Sequence, residues 1–298
     1  MPGFRVTERS MASNTLSNLQ VNLSRNQQLQ NQLSSGKLIT KASDSPGGAV
    51  IAMQHRADVA TLNQYSRNAD DGIGWLNMAD TALKSASTQM NRARELVLSG
   101  LSSGTAGSPE AREAIALEVD NLRDSMINLS NTTYLDRPIF GGSTPGSLAY
   151  DKNGDYQGDD GKINRTISGN ATVRVDTGAE DVFGPEAGNG NVFKLLGSIA
   201  DHLRNNPAGL QQDLAEVDTA QKRIQAGLSG VGSRYNQVSE MQQTAQNRVL
   251  DLKAQLSDVE DIDLPKTITE LALQQTAYQA ALAATAKVIQ PSLVDFLR

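Results

Sequence analysis

The chain has 298 residues, enough for roughly two or three domains of ordinary size. Its 33 acidic residues outnumber 27 basic ones, a net charge of −6 that leaves no basic surplus for displacing counterions from nucleic acid. Cysteine is absent, which excludes disulfides, thiolate zinc sites, iron–sulfur clusters and a cysteine nucleophile. Aromatic residues make up only 4%, few for one large globular core, so thin cores between long helices and an elongated shape are expected. No apolar run approaches the roughly 18 residues of a membrane span, so no membrane insertion is expected. Arg5, Arg9 and Arg25 and scattered Ser, Asn and Gln leave no room for the apolar stretch of a cleaved signal peptide.

A first helix is predicted from about Met11 to Ser34, with Leu16, Leu19, Leu23 and Leu33 on one heptad stripe and Asn26 and Gln30 as its polar members. Gly36 ends that periodicity. Ser45-Pro46 reads as an N-cap followed by proline in the first turn of a long helix. Its seam runs through Leu62, Tyr65, Ala69, Gly72, Leu76, Ala79, Leu83, Ala86, Met90, Ala93 and Val97, and its small residues allow close helix approach. After a loop, Ser108-Pro109 caps another helix, striped by Ile115, Val119, Leu122, Met126 and Leu129.

Twelve of the 25 glycines fall between Gly141 and Gly197, which marks an insert of strands and turns between two helical arms. Within it, 162–168 and 171–176 alternate with period two, and Gly169-Asn170 is a two-residue hairpin turn. The second arm holds a 4,3-spaced row from Leu210 to Val259, where Gly227, Gly230 and Gly232 mark close packing or a bend. Pro265 starts a last helix striped by Ile268, Leu271, Gln275, Tyr278, Leu282, Thr285, Ile289 and Phe296, and Pro291 is expected to kink or end it. The ends differ in charge: residues 1–42 carry five basic residues and one acid, residues 258–298 six acids and three basic residues. The two can pair with each other or with neighbouring copies.

Chemistry is sparse. The two histidines, His55 and His202, lie in no zinc motif, and neither a phosphate loop nor a nucleophile elbow occurs. Asp151-Lys-Asn153-Gly-Asp155 opens like a calcium loop, but Tyr156 and Lys162 stand where that loop needs glycine and a bidentate acid, so turn formation is the better reading. No catalytic residue, cofactor or metal is assigned, and the chain is not expected to be an enzyme.

Several segments in order resemble the bacterial flagellin superfamily: Leu33-Ser-Ser-Gly-Lys-Leu-Ile39, Arg67-Asn-Ala-Asp-Asp-Gly-Ile73, Met90-Asn-Arg-Ala-Arg-Glu-Leu96, Gly232-Ser-Arg-Tyr-Asn236 and Gln290-Pro-Ser-Leu-Val-Asp-Phe-Leu297. Within it, Phe4-Arg-Val-Thr-Glu-Arg-Ser-Met11, Tyr134-Leu-Asp-Arg-Pro-Ile-Phe-Gly-Gly142, Tyr156-Gln-Gly-Asp159 and Val294-Asp-Phe-Leu297 are more similar to hook-associated proteins of the hook–filament junction. Pro291 is more similar to filament flagellins.

The resemblance implies a mainly α fold: an elongated rod of long coiled-coil-like helices from both chain ends, with a small β-rich inserted domain. It places an axial-packing domain at 1–42 plus 261–298, a rod domain at 43–137 plus 198–260, and the outer domain at 138–197. It implies a structural adaptor, a ring of copies between a neighbouring hook-associated protein and flagellin, exported to the extracellular flagellum by the type III route. Subunit packing falls to Leu16, Leu19, Leu23, Leu33, Ile268, Leu271, Tyr278, Leu282, Ile289 and Phe296. A cytoplasmic export chaperone would cover Leu271, Tyr278, Leu282 and Ile289. Arg92, Glu95 and Leu96 resemble a surface that innate immune receptors bind. The alternatives are a flagellin filament subunit or a free secreted coiled-coil binding protein.

Overall fold

The computed structural model describes residues 8–102, 108–146, 148–186 and 190–295. The helices are α1 (Glu8–Ser35), α2 (Pro46–Leu101), α3 (Pro109–Ser130), α4 (Ala179–Phe183), α5 (Val192–Asn205), α6 (Leu210–Glu260) and α7 (Leu264–Asp295). Strands β1 (Thr133–Tyr134) with β2 (Arg137–Pro138), and β3 (Asn164–Ser168) with β4 (Ala171–Arg174), form two antiparallel two-stranded sheets. The fold is therefore mainly helical, with long helices arising from both arms, as the heptad patterns predict. No helix among the described residues is long and apolar enough to cross a membrane.

The helix boundaries follow local chemistry. Ser45 caps α2: its hydroxyl accepts from the Gly48 amide at 3.3 Å and its carbonyl from the Ala49 amide at 2.8 Å. Ser108 accepts from the Ala111 amide at 3.3 Å, with Pro109 in the first turn of α3. Gly36 ends α1 at φ +70°, the left-handed conformation that only glycine adopts without strain. Pro291 does not end α7, which continues to Asp295. The proline has no amide to give the Lys287 carbonyl, so the helix continues there with one backbone hydrogen bond fewer.

Backbone contacts divide the chain into two compact units, residues 1–60 with 249–298 and residues 61–248. The second has one continuous core. Its helix seams use small side chains (Ala69, Ala79, Ala86, Ala93), all fully buried. The aromatic rings gather instead where residues 138–197 pack in: Phe140 meets Phe183 at 5.1 Å, and Tyr150 meets Phe193 at 4.6 Å. Burial pushes the Tyr150 phenol up, and that of Tyr156 up to about 12. Residues 138–197 thus share the core of the second unit, and helix α5 begins at Val192, inside that stretch.

The β3–β4 hairpin turns at Gly169-Asn170 as its sequence predicts, with Arg165 opposite Val173 and an irregularity between Thr166 and Ser168. Its outer pairs give way to Asp176, whose carboxylate accepts from the Ile163 amide at 2.7 Å. Of the α6 glycines, Gly227 lies against Val182, whose Cγ2 would stand 2.8 Å from an added Cβ, whereas among the described residues nothing within 4 Å occupies the space beside Gly232.

The β1–β2 hairpin departs from its local sequence preference. Leu135 (φ 49°) and Asp136 (φ 61°) both adopt positive φ, as a two-residue type I′ turn requires, where asparagine and glycine are the favoured residues. Leu135 is also 73% exposed, so no packing within the chain offsets its conformation. Leu135→Asn is expected to stabilise the chain by about 1 kcal/mol and to raise the melting temperature by about 2–4 °C. Calorimetry checks this, and an unchanged or lower midpoint contradicts the strain.

Candidate assembly surface

Helices α1 and α7 pair along most of their length. The residues turned inward on α1 are Thr15, Leu19, Asn22, Asn26, Leu29 and Leu33, spaced 4,3,4,3,4. Those on α7 are Thr267, Leu271, Gln274, Tyr278, Ala281 and Thr285, with the same spacing. Half of each row is polar. Gln274 donates to the Asn22 carbonyl at 3.3 Å and to its side-chain oxygen at 3.1 Å, which fixes one register. Asn26 is 8% exposed, and its Oδ1 is buried with no hydrogen-bond partner among the described residues. Such a group costs about 1–3 kcal/mol.

Further apolar side chains lie on the other side. Leu16 is 60% exposed, Leu23 44%, Ile268 56% and Leu282 44%. Val21 and Leu273 are exposed as well. The heptad stripe read from the sequence therefore straddles the seam: Leu19, Leu33, Leu271 and Tyr278 turn inward, while Leu16, Leu23, Ile268 and Leu282 turn outward. Ile289 belongs to α7, but its side chain lies outside the described residues, as does Phe296 altogether.

A polar joint closes this unit. After Gly36, residue Lys37 forms a single antiparallel bridge with Asp261, between α6 and α7. The Leu38 amide donates to the Glu260 carbonyl at 2.5 Å, and the Ile262 amide to the Gly36 carbonyl at 3.2 Å. Lys37 Nζ lies 2.5 Å from Asp261 and 3.5 Å from Glu260, whose buried carboxylate also meets Arg56 at 2.7 Å. Arg25 stands 4.0 Å from Glu270. The opposite charges of the two chain ends thus meet within one chain. The Leu33–Ile39 segment is the joint itself: Gly36 stops the helix, Lys37 supplies the bridge and Ile39 lies over Gly48 at the start of α2.

Arg67–Ile73 and Gly232–Asn236 are clamps in the second unit, whereas the side chains of Gln290–Leu297 lie outside the described residues. Asn68 donates to the Thr166 carbonyl at 2.7 Å, Arg165 reaches Asp71 at 2.5 Å, and Gln242 donates to Asp70. Arg234, from Gly232–Asn236, donates to the carbonyls of Asp176 at 2.5 Å and Gly230 at 3.1 Å, and its burial lowers its pKa. Asn131 binds the Ala149 and Tyr150 amides and the Tyr150 carbonyl through one side chain. No periodicity in the sequence marks Asn131 or Asp176; only their distant partners do.

The remaining candidates have local partners. Arg92 pairs with Glu118 at 2.7 Å and Glu95 at 3.0 Å, whereas Leu96 is only 4% exposed and presents no surface. The Asp151 carboxylate accepts from the amides of Asn153 at 2.8 Å and Asp155 at 2.9 Å, the geometry of a turn. His202 Nδ1 lies 2.7 Å from buried Asp213, and Ser198 donates to that same acid rather than to the histidine, so the three do not form a catalytic relay.

The arrangement defines a helical structural subunit whose two arms come together in one pair of helices. The description of the bacterial flagellin N-terminal helical region matches residues 6–143, and that of the C-terminal helical region matches residues 214–297. This chain belongs to the flagellin superfamily. It is 25% identical over 303 aligned residues to the flagellin of Bacillus subtilis, covering 96% of this chain and 97% of that one. It is also 25% identical over 277 residues to flagellar hook-associated protein 3 of Escherichia coli, covering 85% and 87%. Among solved structures, Bacillus cereus FlgL shares the fold with a TM-score of 0.60 at 21% identity, covering 68% of this chain and 99% of that one. The hook-associated protein-3 of Legionella pneumophila does so with a TM-score of 0.61 at 15% identity, covering 70% and 98%.

Two predictions follow from the seam and the joint. Asn26→Leu removes the orphaned oxygen and is expected to stabilise the α1–α7 pair by about 1–3 kcal/mol; slower amide exchange in both helices checks it, and faster exchange contradicts it. The hydrogen bonds from Lys37 and then Ser257 hold the Asp261 carboxyl below its ordinary 3.8, and Asp261 raises the Lys37 pKa above 10.5. The stability that Asp261 contributes is therefore present at neutral pH and lost as pH falls through its lowered value. The contribution of Lys37 is lost only as pH rises past its raised one. Protection of the Leu38 and Ile262 amides is expected to fall on acidification below pH 3.8 and much less so in Lys37→Met; equal loss in both contradicts the ionic joint.

Proposed function

We propose that this chain is a hook–filament junction adaptor of the bacterial flagellum. Copies assemble as a ring, with a hook-associated protein on one side and flagellin on the other. The observation that carries assembly is the α1–α7 pair, with its half-polar seam and its outward Leu16, Leu23, Ile268 and Leu282. Most helical stability in proteins comes from packing an apolar face, and this seam buries little apolar surface. Packing against further copies supplies the missing burial, so ordering is coupled to incorporation. The similarity of Tyr134–Gly142 to junction proteins supports the junction over the filament; its Ile139 and Phe140 are fully buried and seat the element in the core.

Before export, a cytoplasmic chaperone covers α7 at Leu271, Tyr278, Leu282 and Ile289, keeping an apolar surface from premature contact. Export through the type III route then delivers the chain to the extracellular flagellum. Arg92 and Glu95 form a weaker candidate for an immune-receptor surface, without Leu96. A second reading, a filament subunit, rests on the match to Bacillus subtilis flagellin along nearly its whole length.

Seeded polymerisation viewed by electron microscopy separates the two. Isolated hooks are expected to acquire a short, self-limiting collar. Long filaments growing from sheared filament seeds would replace the junction reading with the filament one. Leu16→Gln with Leu282→Gln is expected to reduce incorporation severalfold while the circular dichroism of the free chain stays unchanged.

A further inference from the structure

The turn from Asp151 to Asp155 carries a reactive dipeptide, Asn153-Gly154. In such a pair the glycine amide nitrogen can attack the asparagine side-chain carbonyl, because glycine has no Cβ to obstruct the approach and turns freely. A bond forms between the Gly154 nitrogen and Asn153 Cγ. The amide proton passes to solvent, and the side-chain nitrogen takes one up and leaves as ammonia. Water then opens the cyclic imide at either carbonyl. One opening gives aspartate; the other gives isoaspartate, with the main chain routed through the side chain. The reaction consumes water, releases ammonia and needs no oxidant or reductant.

The side chain is ready for this step. Asn153 is exposed, and among the described residues nothing binds its side-chain amide. The backbone is closed against it. The attacking group, the Gly154 amide, donates to the Asp151 carbonyl at 3.1 Å. The Asn153 carbonyl accepts from Arg123 Nη2 at 2.7 Å, and the Gly154 carbonyl from Asn191 Nδ2 at 3.2 Å. Ring closure requires the peptide plane between Asn153 and Gly154 to turn toward the side chain, and these two bonds pin it from both ends. Gly154 is buried at φ +84°, and a Cβ added there would stand 2.5 Å from Phe193 Cβ, so the plane has no room to swing. The amides of Asp155, Asn153 and Gly154 hold the Asp151 carboxyl below its ordinary 3.8. Its fixed negative charge opposes loss of the Gly154 amide proton.

Arg123 reaches this turn from α3 and also donates to the Phe193 carbonyl at 3.1 Å, tying the turn to the start of α5. Arg123 lies 30 residues from Asn153, and Asn191 lies 37 from Gly154, so neither restraint exists in an unfolded chain. We propose that Asn153-Gly154 is a deamidation site gated by folding, open in the unfolded chain and closed in the folded one by Arg123, Asn191 and the Asp151 turn. Arg123 and Asn191 are positioning residues. Isoaspartate adds a methylene to the main chain before Gly154, which lifts Gly154 off Phe193 and takes the Asn153 carbonyl from Arg123. A copy that deamidates before folding closes poorly, and the site records time spent unfolded.

Full-length protein is incubated at mildly alkaline pH, folded or in urea, and digested for mass spectrometry with an isoaspartate assay. The chain's second pair, Asn189-Gly190, is the reference in the same digest, and in urea the two are expected to react alike. Asn153 is expected to react manyfold more slowly in the folded chain than in urea; equal rates overturn the proposal. Arg123→Met is expected to raise the folded-state rate severalfold, and Arg123→Lys to restore part of the protection. Should Arg123→Met fail to fold by circular dichroism, Asn191→Asp replaces it. That variant keeps the oxygen that caps α5 through the Phe193 and Lys194 amides but loses the donor to Gly154. A folded variant that protects Asn153 as well as the unmodified chain overturns the clamp. In an Asn189→Gln background, chains aged in urea and refolded are expected to melt lower as isoaspartate at residue 153 accumulates; unchanged melting overturns the recorded cost.

Discussion

Asn22, Asn26, Thr267 and Gln274 stand where a self-sufficient pair of helices carries leucine. That substitution of polar for apolar in the α1–α7 seam is the constraint on which the rest depends. The seam specifies register, through Gln274 and Asn22, more than it stabilises. Leu16, Leu23, Ile268 and Leu282, which could have added to the seam, face outward instead. A chain built this way holds its ends weakly when free and firmly when packed.

The second unit follows the opposite rule. Its aromatic cluster, its alanine-lined seams and the clamps made by Asn68, Asp71, Asn131 and Arg234 satisfy themselves within the chain. The flagellin-like segments divide accordingly. Leu33–Ile39 makes the joint of the first unit through Gly36 and Lys37, and Arg67–Ile73 anchors the β3–β4 hairpin. Their similarity across the superfamily thus has a local physical content: each places a glycine, an amide or a charge where two distant segments must meet.

Much of this was legible in the sequence. Ser45-Pro46, Ser108-Pro109, Gly36 and Gly169-Asn170 marked boundaries correctly because capping and turn chemistry act over three or four residues. The row from Leu210 to Val259 marked α6 because heptads repeat. The seam of α1 was harder. Rows 16/23/30 and 15/22/29 are adjacent on the helix, both mix apolar with polar, and only the partner helix decides which turns inward. The clamps at Asn131, Asp176 and Arg234 were invisible, because each depends on a segment 13 to 60 residues away. Leu96 misled for a related reason: its neighbours Arg92 and Glu95 are exposed, but it falls on the buried face of the same turn.

The most direct test is amide hydrogen exchange across α1 and α7, on the free chain and on the same chain assembled on hooks. The half-polar seam predicts rapid exchange in both helices when free, slow exchange throughout residues 61–248, and strong protection of α1 and α7 only after assembly. Equal, strong protection of the two helices in the free chain would show that the pair is stable alone, and would contradict the coupling of folding to incorporation.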